Sequence, residues 1–218
     1  MRSLSTQRCS ECEHIVHGAL DLIESRGPHR VEPADVIRHL SIPRARYRAC
    51  FPRDLDLWAA VATWIRRRMR ADWDRVLGND LSPKAKLRSL VAVQVGVVAA
   101  TPAIPALALG NPGGAGASTI QAALVEARQE LRAILSFLLQ EAKRAGETHV
   151  DLDTERAAEE ILETVHGAIT TRRIAAGSSP SISALWEKVD WITAAPRPGL
   201  RRRQAANGCV TAPNTSVS

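Results

Sequence analysis

Cysteine is scarce in this 218-residue chain. The four present, Cys9, Cys12, Cys50 and Cys209, are too few for a disulfide scaffold of this size. No apolar run follows the charges of the N-terminal MRSLSTQRCSECEH, so a secretory leader is not expected and the expected location is cytoplasmic. The longest apolar stretch, Leu90 to Gly110, contains Gln94 and is broken by Pro102 and Pro105. It reads as a buried helix ending at a proline turn, not as a membrane span. Lysine is nearly absent: Lys84, Lys86, Lys143 and Lys188 are the only ones among 29 basic residues. The alternation of a half-buried strand is also missing. So are a Ser-His-Asp order, a paired-carboxylate motif and a phosphate loop. Asn111-Pro-Gly-Gly-Ala-Gly lacks the Lys-Ser/Thr and the preceding strand such a loop needs. An enzyme is not expected, and neither is a cofactor.

What remains is an ordinary globular balance, with 45% hydrophobic and 24% charged residues. The excess of 29 basic over 23 acidic residues gives a net charge of +6. That charge makes nucleic acid or an anionic surface a candidate partner. Because the cations are mostly arginine, bidentate contacts to phosphate and guanine come into reach.

Helical periodicity runs through the chain and predicts an all-α fold of about nine helices. Ile15, Ala19, Leu22 and Ile23 form one apolar face of a first helix over about residues 6–25, which Gly27 ends. Pro33 opens a second helix with Val36, Ile37 and Leu40 inward. After Ser41-Ile42-Pro43, a third runs from Arg44 to Cys50. A fourth, from about Asp54 to Gly78, carries Leu57, Val61, Ile65 and Met69, with Trp58, Trp64 and Trp73 expected in the core. Ser82-Pro83 opens a fifth, running to about Thr101, and Pro102–Leu109 has room for one more turn. Asn111–Gly116 reads as a loop, followed by a capping box Ser118-x-x-Gln121 and a long amphipathic helix to about Gly146. Asp151-Leu-Asp caps the next helix, on which Glu155, Glu159 and Glu163 mark a solvated face. A last helix carries Ile182, Leu185, Trp186, Val189 and Ile192. The stretch from Pro196 lacks periodicity and reads as a disordered tail. Three short helices with a tight break before the third have the spacing of a helix-turn-helix, whose third element lies in a DNA major groove.

Residues 14–61, HIVHGALDLIESRGPHRVEPADVIRHLSIPRARYRACFPRDLDLWAAV, resemble the DNA-binding domain of the TetR/AcrR family of bacterial transcriptional repressors. Val36-Ile37-x-x-Leu40-Ser41-Ile42 resembles the family's second helix and turn, and Phe51-Pro its Phe beneath the recognition helix. The looser resemblance of the rest, to about residue 195, includes Thr101-Pro-Ala-Ile-Pro. It implies a helix-turn-helix domain over 1–53, a helical effector-binding and dimerisation domain over 54–195, and a tail over 196–218. There are departures. Ser41 stands where the family usually has Gly, and Glu32 stands at the usual Ser/Thr cap. Arg48 and Cys50 take the positions of a phosphate-contacting Tyr and His, and Asp54 that of a Lys. The phosphate clamp thus looks rewired around Arg44, Arg46, Arg48 and Arg53.

The resemblance implies DNA contacts from Arg44, Ala45, Arg46, Arg48, Arg53, Pro33 and Arg30. Val98, Leu107, His166 and Thr170 would line an effector cavity. The implied protein is a homodimer joined through Asp153–Ala176 and Ser181–Ala194. It represses at a palindromic operator and leaves it when a small apolar or amphipathic effector binds. One alternative is an effector-independent helical DNA-binding protein. The other uses Cys9-x-x-Cys12-x-His14-x-x-His17 for metal or redox sensing. On a continuous helix those four sit at about 0°, 300°, 140° and 80° and do not converge. No metal is therefore expected, and exposed thiols are the simpler reading.

Overall fold

The computed structural model describes residues 2–27, 30–100, 115–174 and 182–194. Among them are eight helices: α1 (Arg2–Arg26), α2 (Pro33–His39), α3 (Arg44–Cys50), α4 (Asp54–Leu77), α5 (Pro83–Ala100), α6 (Ala115–Arg144), α7 (Thr154–Ile174) and α8 (Ile182–Thr193). The extra turn expected at Pro102–Leu109 and the tail from Pro196 lie outside the described residues. No helix among the described residues is long and apolar enough to cross a membrane.

The head is built from α1, α2 and α3. The apolar face of α1 buries Ile15, Val16, Ala19, Leu22 and Ile23. The helix begins at Arg2, earlier than its apolar period shows. It stops at Gly27, whose φ of 80° reverses the chain while its N–H donates to the Ile23 carbonyl at 2.9 Å. Pro33 opens α2, and the Asp35 carboxylate accepts the Glu32 N–H at 3.0 Å. Glu32 is thus supported by its neighbour three residues on, which compensates for its poor capping side chain. The turn that follows places Ser41 at φ 53°, the left-handed region in which glycine is unstrained.

Pro43 precedes the two-turn helix α3, which is anchored by the fully buried Tyr47. The Phe51 ring lies 5.7 Å from that of Tyr47. Leu57 and Trp58 of α4 continue the same apolar cluster into the body. Trp58 and Trp73 are core residues, whereas Trp64 is half-buried and meets His17 edge-on at 5.1 Å.

The body packs α4 against α6, α5 beside both, and α7 and α8 behind α5 and α6. The first turn of α6 corrects the sequence reading. The helix starts at Ala115, so Gly116 is helical and Ser118 is no cap. A Cβ on Gly116 would fall 2.6 Å from the Trp58 ring. The glycine lets α4 and α6 approach closely and does not serve a loop. On the acidic row of α7, Glu155 and Glu163 are exposed as expected, and Glu159 is half-buried. Glu159 pairs with Arg128, and Glu155 accepts from Ser136 Oγ at 2.7 Å, joining α7 to α6. At the far end, the Glu147 carboxylate accepts the Lys84 N–H at 2.8 Å and caps α5. Arg88 reaches Asp190 of α8 at 2.5 Å and stacks over Trp186.

Candidate nucleic-acid interface

The exposed face of the head is the outer side of α3. Arg44, Ala45 and Arg46 are exposed there, and Arg48 is partly so. The short sequence RARYRAC explains the arrangement. Tyr47 takes the inward position, and the arginines at 44, 46 and 48 are left to solvent. Arg53 projects at the start of α4, 83% exposed. Arg30 is exposed before α2, and Pro33 is half-buried at its first turn.

Three of these arginines have acidic partners. Arg46 Nε lies 3.0 Å from Glu11 of α1. Arg48 pairs with Asp54 at 3.0 Å and donates to the Pro52 carbonyl at 2.8 Å. Arg53 grips Asp56, whose carboxylate also accepts the Arg53 N–H at 2.8 Å. The hydrogen bonds from Arg53 hold the Asp56 carboxyl below its ordinary range. Arg48 also lies over the Tyr47 ring, 5.8 Å from its centroid. Asp54, at a position that would repel phosphate, therefore sits against a cation. Such exposed pairs are weak and exchange readily for phosphate.

Beneath this face, burial first and the Asp54 charge second push the Tyr47 hydroxyl up to about 12. Its oxygen is buried with no hydrogen-bond partner.

Cys12 and Cys50 form a disulfide that ties α1 to the end of α3. This corrects the expectation of free N-terminal thiols. The periodicity of each helix shows which side a residue takes, but not that these two sides meet across 38 positions. Among the described residues no three metal-ligating side chains lie together.

In the body, α5, α6 and α7 meet at an apolar seam between Leu90, Val91, Leu131, Leu135, Ile161 and Val165 that leaves no room for a water-sized molecule. Gln94 also lines it, and its buried Oε1 has no partner. Of the expected effector residues, His166 is half-buried on α7. Burial first, and then Arg128, hold its imidazole below the ordinary histidine range. Leu107 lies outside the described residues, as do the side chains of Val98 and Thr170. In the sequence Gln94 served only as an argument against a membrane span, and nothing in its helix marks it as a lining residue.

This helix order and this head superpose on solved regulators over nearly their whole length. A TetR-family transcriptional regulator from Agrobacterium tumefaciens matches with a TM-score of 0.69 at 21% identity, over 86% of this chain and 100% of that one. Regulatory protein TetR from Rhodobacter sphaeroides matches at 0.67 and 19%, over 87% and 99%. The fold is that of the TetR-family regulators. The fatty acid degradation regulator FadR from Bacillus halodurans has it too, at 0.66 and 16% identity, over 88% and 97%. By sequence, no protein-family model and no curated protein matches the chain. Within the TetR fold, α1–α3 form the helix-turn-helix head and α4–α8 the helical body.

Proposed function

We propose that the chain is a DNA-binding transcriptional regulator and acts as a repressor. The observation that carries this reading is the arginine face of α3. It is exposed at the tip of a helix-turn-helix head, on a fold shared with transcriptional regulators. On DNA, Arg44 and Arg46 would read base edges from the major groove. A bidentate Arg–guanine contact is worth roughly 1–3 kcal/mol of discrimination. Arg48, Arg53 and Arg30 would take phosphates, releasing Asp54 and Asp56, while Ala45 and Pro33 fit closely against the duplex.

The domain limits follow the same reading: a head over 1–53, a body over 54–195 and a tail over 196–218. Two bodies pair through α7 and α8 and set two heads on a palindromic operator. Trp191 of α8, 74% exposed in the single chain, supports that choice of face. Such a protein works in the cytoplasm.

A small apolar or amphipathic effector would enter the seam between α5, α6 and α7. The seam is closed in this structure, whereas ordinary ligand sites hold roughly 300–1,000 Å³. Occupation must therefore spread the three helices, which gives the effector its preference for one conformer. The free Gln94 Oε1 offers that ligand an acceptor, and His166 lies one residue from the seam. α4 runs from the head to the body and would carry the change to α3.

A gel shift on the DNA upstream of the chain's own coding region tests the reading. A sequence-specific complex that weakens with salt is expected. Absence of any specific complex would overturn it.

A further inference from the structure

Cys12 and Cys50 stand where the head can be loosened. Cys50 is the last residue of α3, and its Sγ is bonded to Cys12 in the middle of α1, with the two Cα atoms 5.4 Å apart. Next to Cys12 on the chain, Glu11 holds Arg46 at 3.0 Å. So α1 grips α3 at two points, one electrostatic and one covalent. A helix of seven residues does not persist alone in water. Without the bridge, the tie of α3 to α1 is left to the packing of Tyr47 and the exposed Arg46–Glu11 ion pair. Both cysteines are partly exposed, not sealed in the core, so a thiolate from solution can reach them.

We propose that Cys12 and Cys50 form a reversible thiol–disulfide switch that sets the order of α3, the oxidised head binding DNA more tightly than the reduced one. The proposal rests on the DNA-binding reading above. The partner is a low-molecular-weight thiol of the glutathione class. Its thiolate attacks one sulfur of the bridge, forms a mixed disulfide and expels the other cysteine as a thiolate, which takes a proton. A second thiolate then attacks the mixed disulfide and frees the first cysteine, which takes another proton. Two electrons and two protons enter the protein, and one oxidised glutathione forms. The reverse exchange, with oxidised glutathione, rebuilds the bridge. In a reducing compartment the resting head is the dithiol, and oxidant raises the DNA-bound population. Because coupling is reciprocal, bound DNA must favour the disulfide by the factor by which the disulfide favours DNA.

The test uses the full chain carrying Cys9→Ser and Cys209→Ser, equilibrated in reduced and oxidised glutathione. Peptide mass mapping reads the 12–50 bridge, fluorescence anisotropy reads a duplex selected from a random pool, and hydrogen exchange reads α3. The expected result is a bridge that forms and breaks reversibly. Affinity should fall roughly fivefold or more on reduction, and this response should vanish in Cys12→Ser and in Cys50→Ser. Bound duplex should shift the redox midpoint toward the disulfide. No 12–50 bridge in oxidised glutathione, or equal affinity in both states, would overturn the switch. If neither state selects any duplex, the DNA-binding reading fails instead. The switch is then judged by exchange alone, and equal α3 protection in both states overturns it.

Discussion

Arg48 turns back over the end of α3 and pairs with Asp54 at 3.0 Å, while also donating to the Pro52 carbonyl at 2.8 Å. Part of the positive charge of the recognition face is therefore held by its own scaffold. A phosphate must compete with Asp54 for the guanidinium. Asp54→Asn removes that competitor. It should tighten duplex binding a few-fold and steepen the salt dependence by about one unit of slope. Anisotropy titrations across a range of salt check both.

Ser41 occupies φ 53° in the turn between α2 and α3. A side chain there costs roughly 1–2 kcal/mol, part of which glycine returns as unfolded-chain entropy. Ser41→Gly should stabilise the chain by about 0.5–1 kcal/mol. Chemical denaturation with an unchanged m-value would show it.

The hydroxyl of Tyr47 is buried without a partner. Tyr47→Phe removes that group and should be neutral or stabilising by about 1 kcal/mol. Alkaline pH gives a second readout. The phenol titrates near 10 in the unfolded chain and at about 12 in the folded one. Its contribution is full below pH 10 and is lost as pH rises toward 12, where the unfolded chain has released a proton that the folded one retains. This extra alkaline loss should disappear in Tyr47→Phe.

Glycines on two helices should respond with opposite signs. A Cβ at Gly116 meets the buried Trp58 ring, whereas one at Gly96 meets nothing within 4 Å. Gly116→Ala should cost about 1–3 kcal/mol through overpacking. Gly96→Ala should gain up to about 1 kcal/mol through helix propensity. Paired melts of the two variants distinguish packing from propensity.

Much of this architecture is legible in the residues themselves. The limits of α3 follow from Pro43 before it and Phe51-Pro52 after it. The stop of α1 follows from Gly27. Facts set between helices are not legible. Gly116 looks like loop punctuation until Trp58 is seen against it. The partners of Glu155 and Glu159, Ser136 and Arg128, come into view only when α6 lies beside α7. Cys12 and Cys50 look unrelated until α1 and α3 cross. At the candidate site the arginines are readable, but the acids that hold them are only partly so. Asp54 is conspicuous by its place, whereas Glu11 lies on another helix.

In the proposed function the exposed arginine face of α3 reads DNA. This is tested most directly by selecting duplexes from a random pool with the full chain and then measuring the selected duplex against Arg44→Ala. A palindromic duplex whose half-sites lie about one helical turn apart is expected. Arg44→Ala should bind it with a loss of roughly 1–3 kcal/mol and relaxed preference at one position per half-site. Failure to enrich any sequence, or undiminished affinity and specificity in Arg44→Ala, would contradict it.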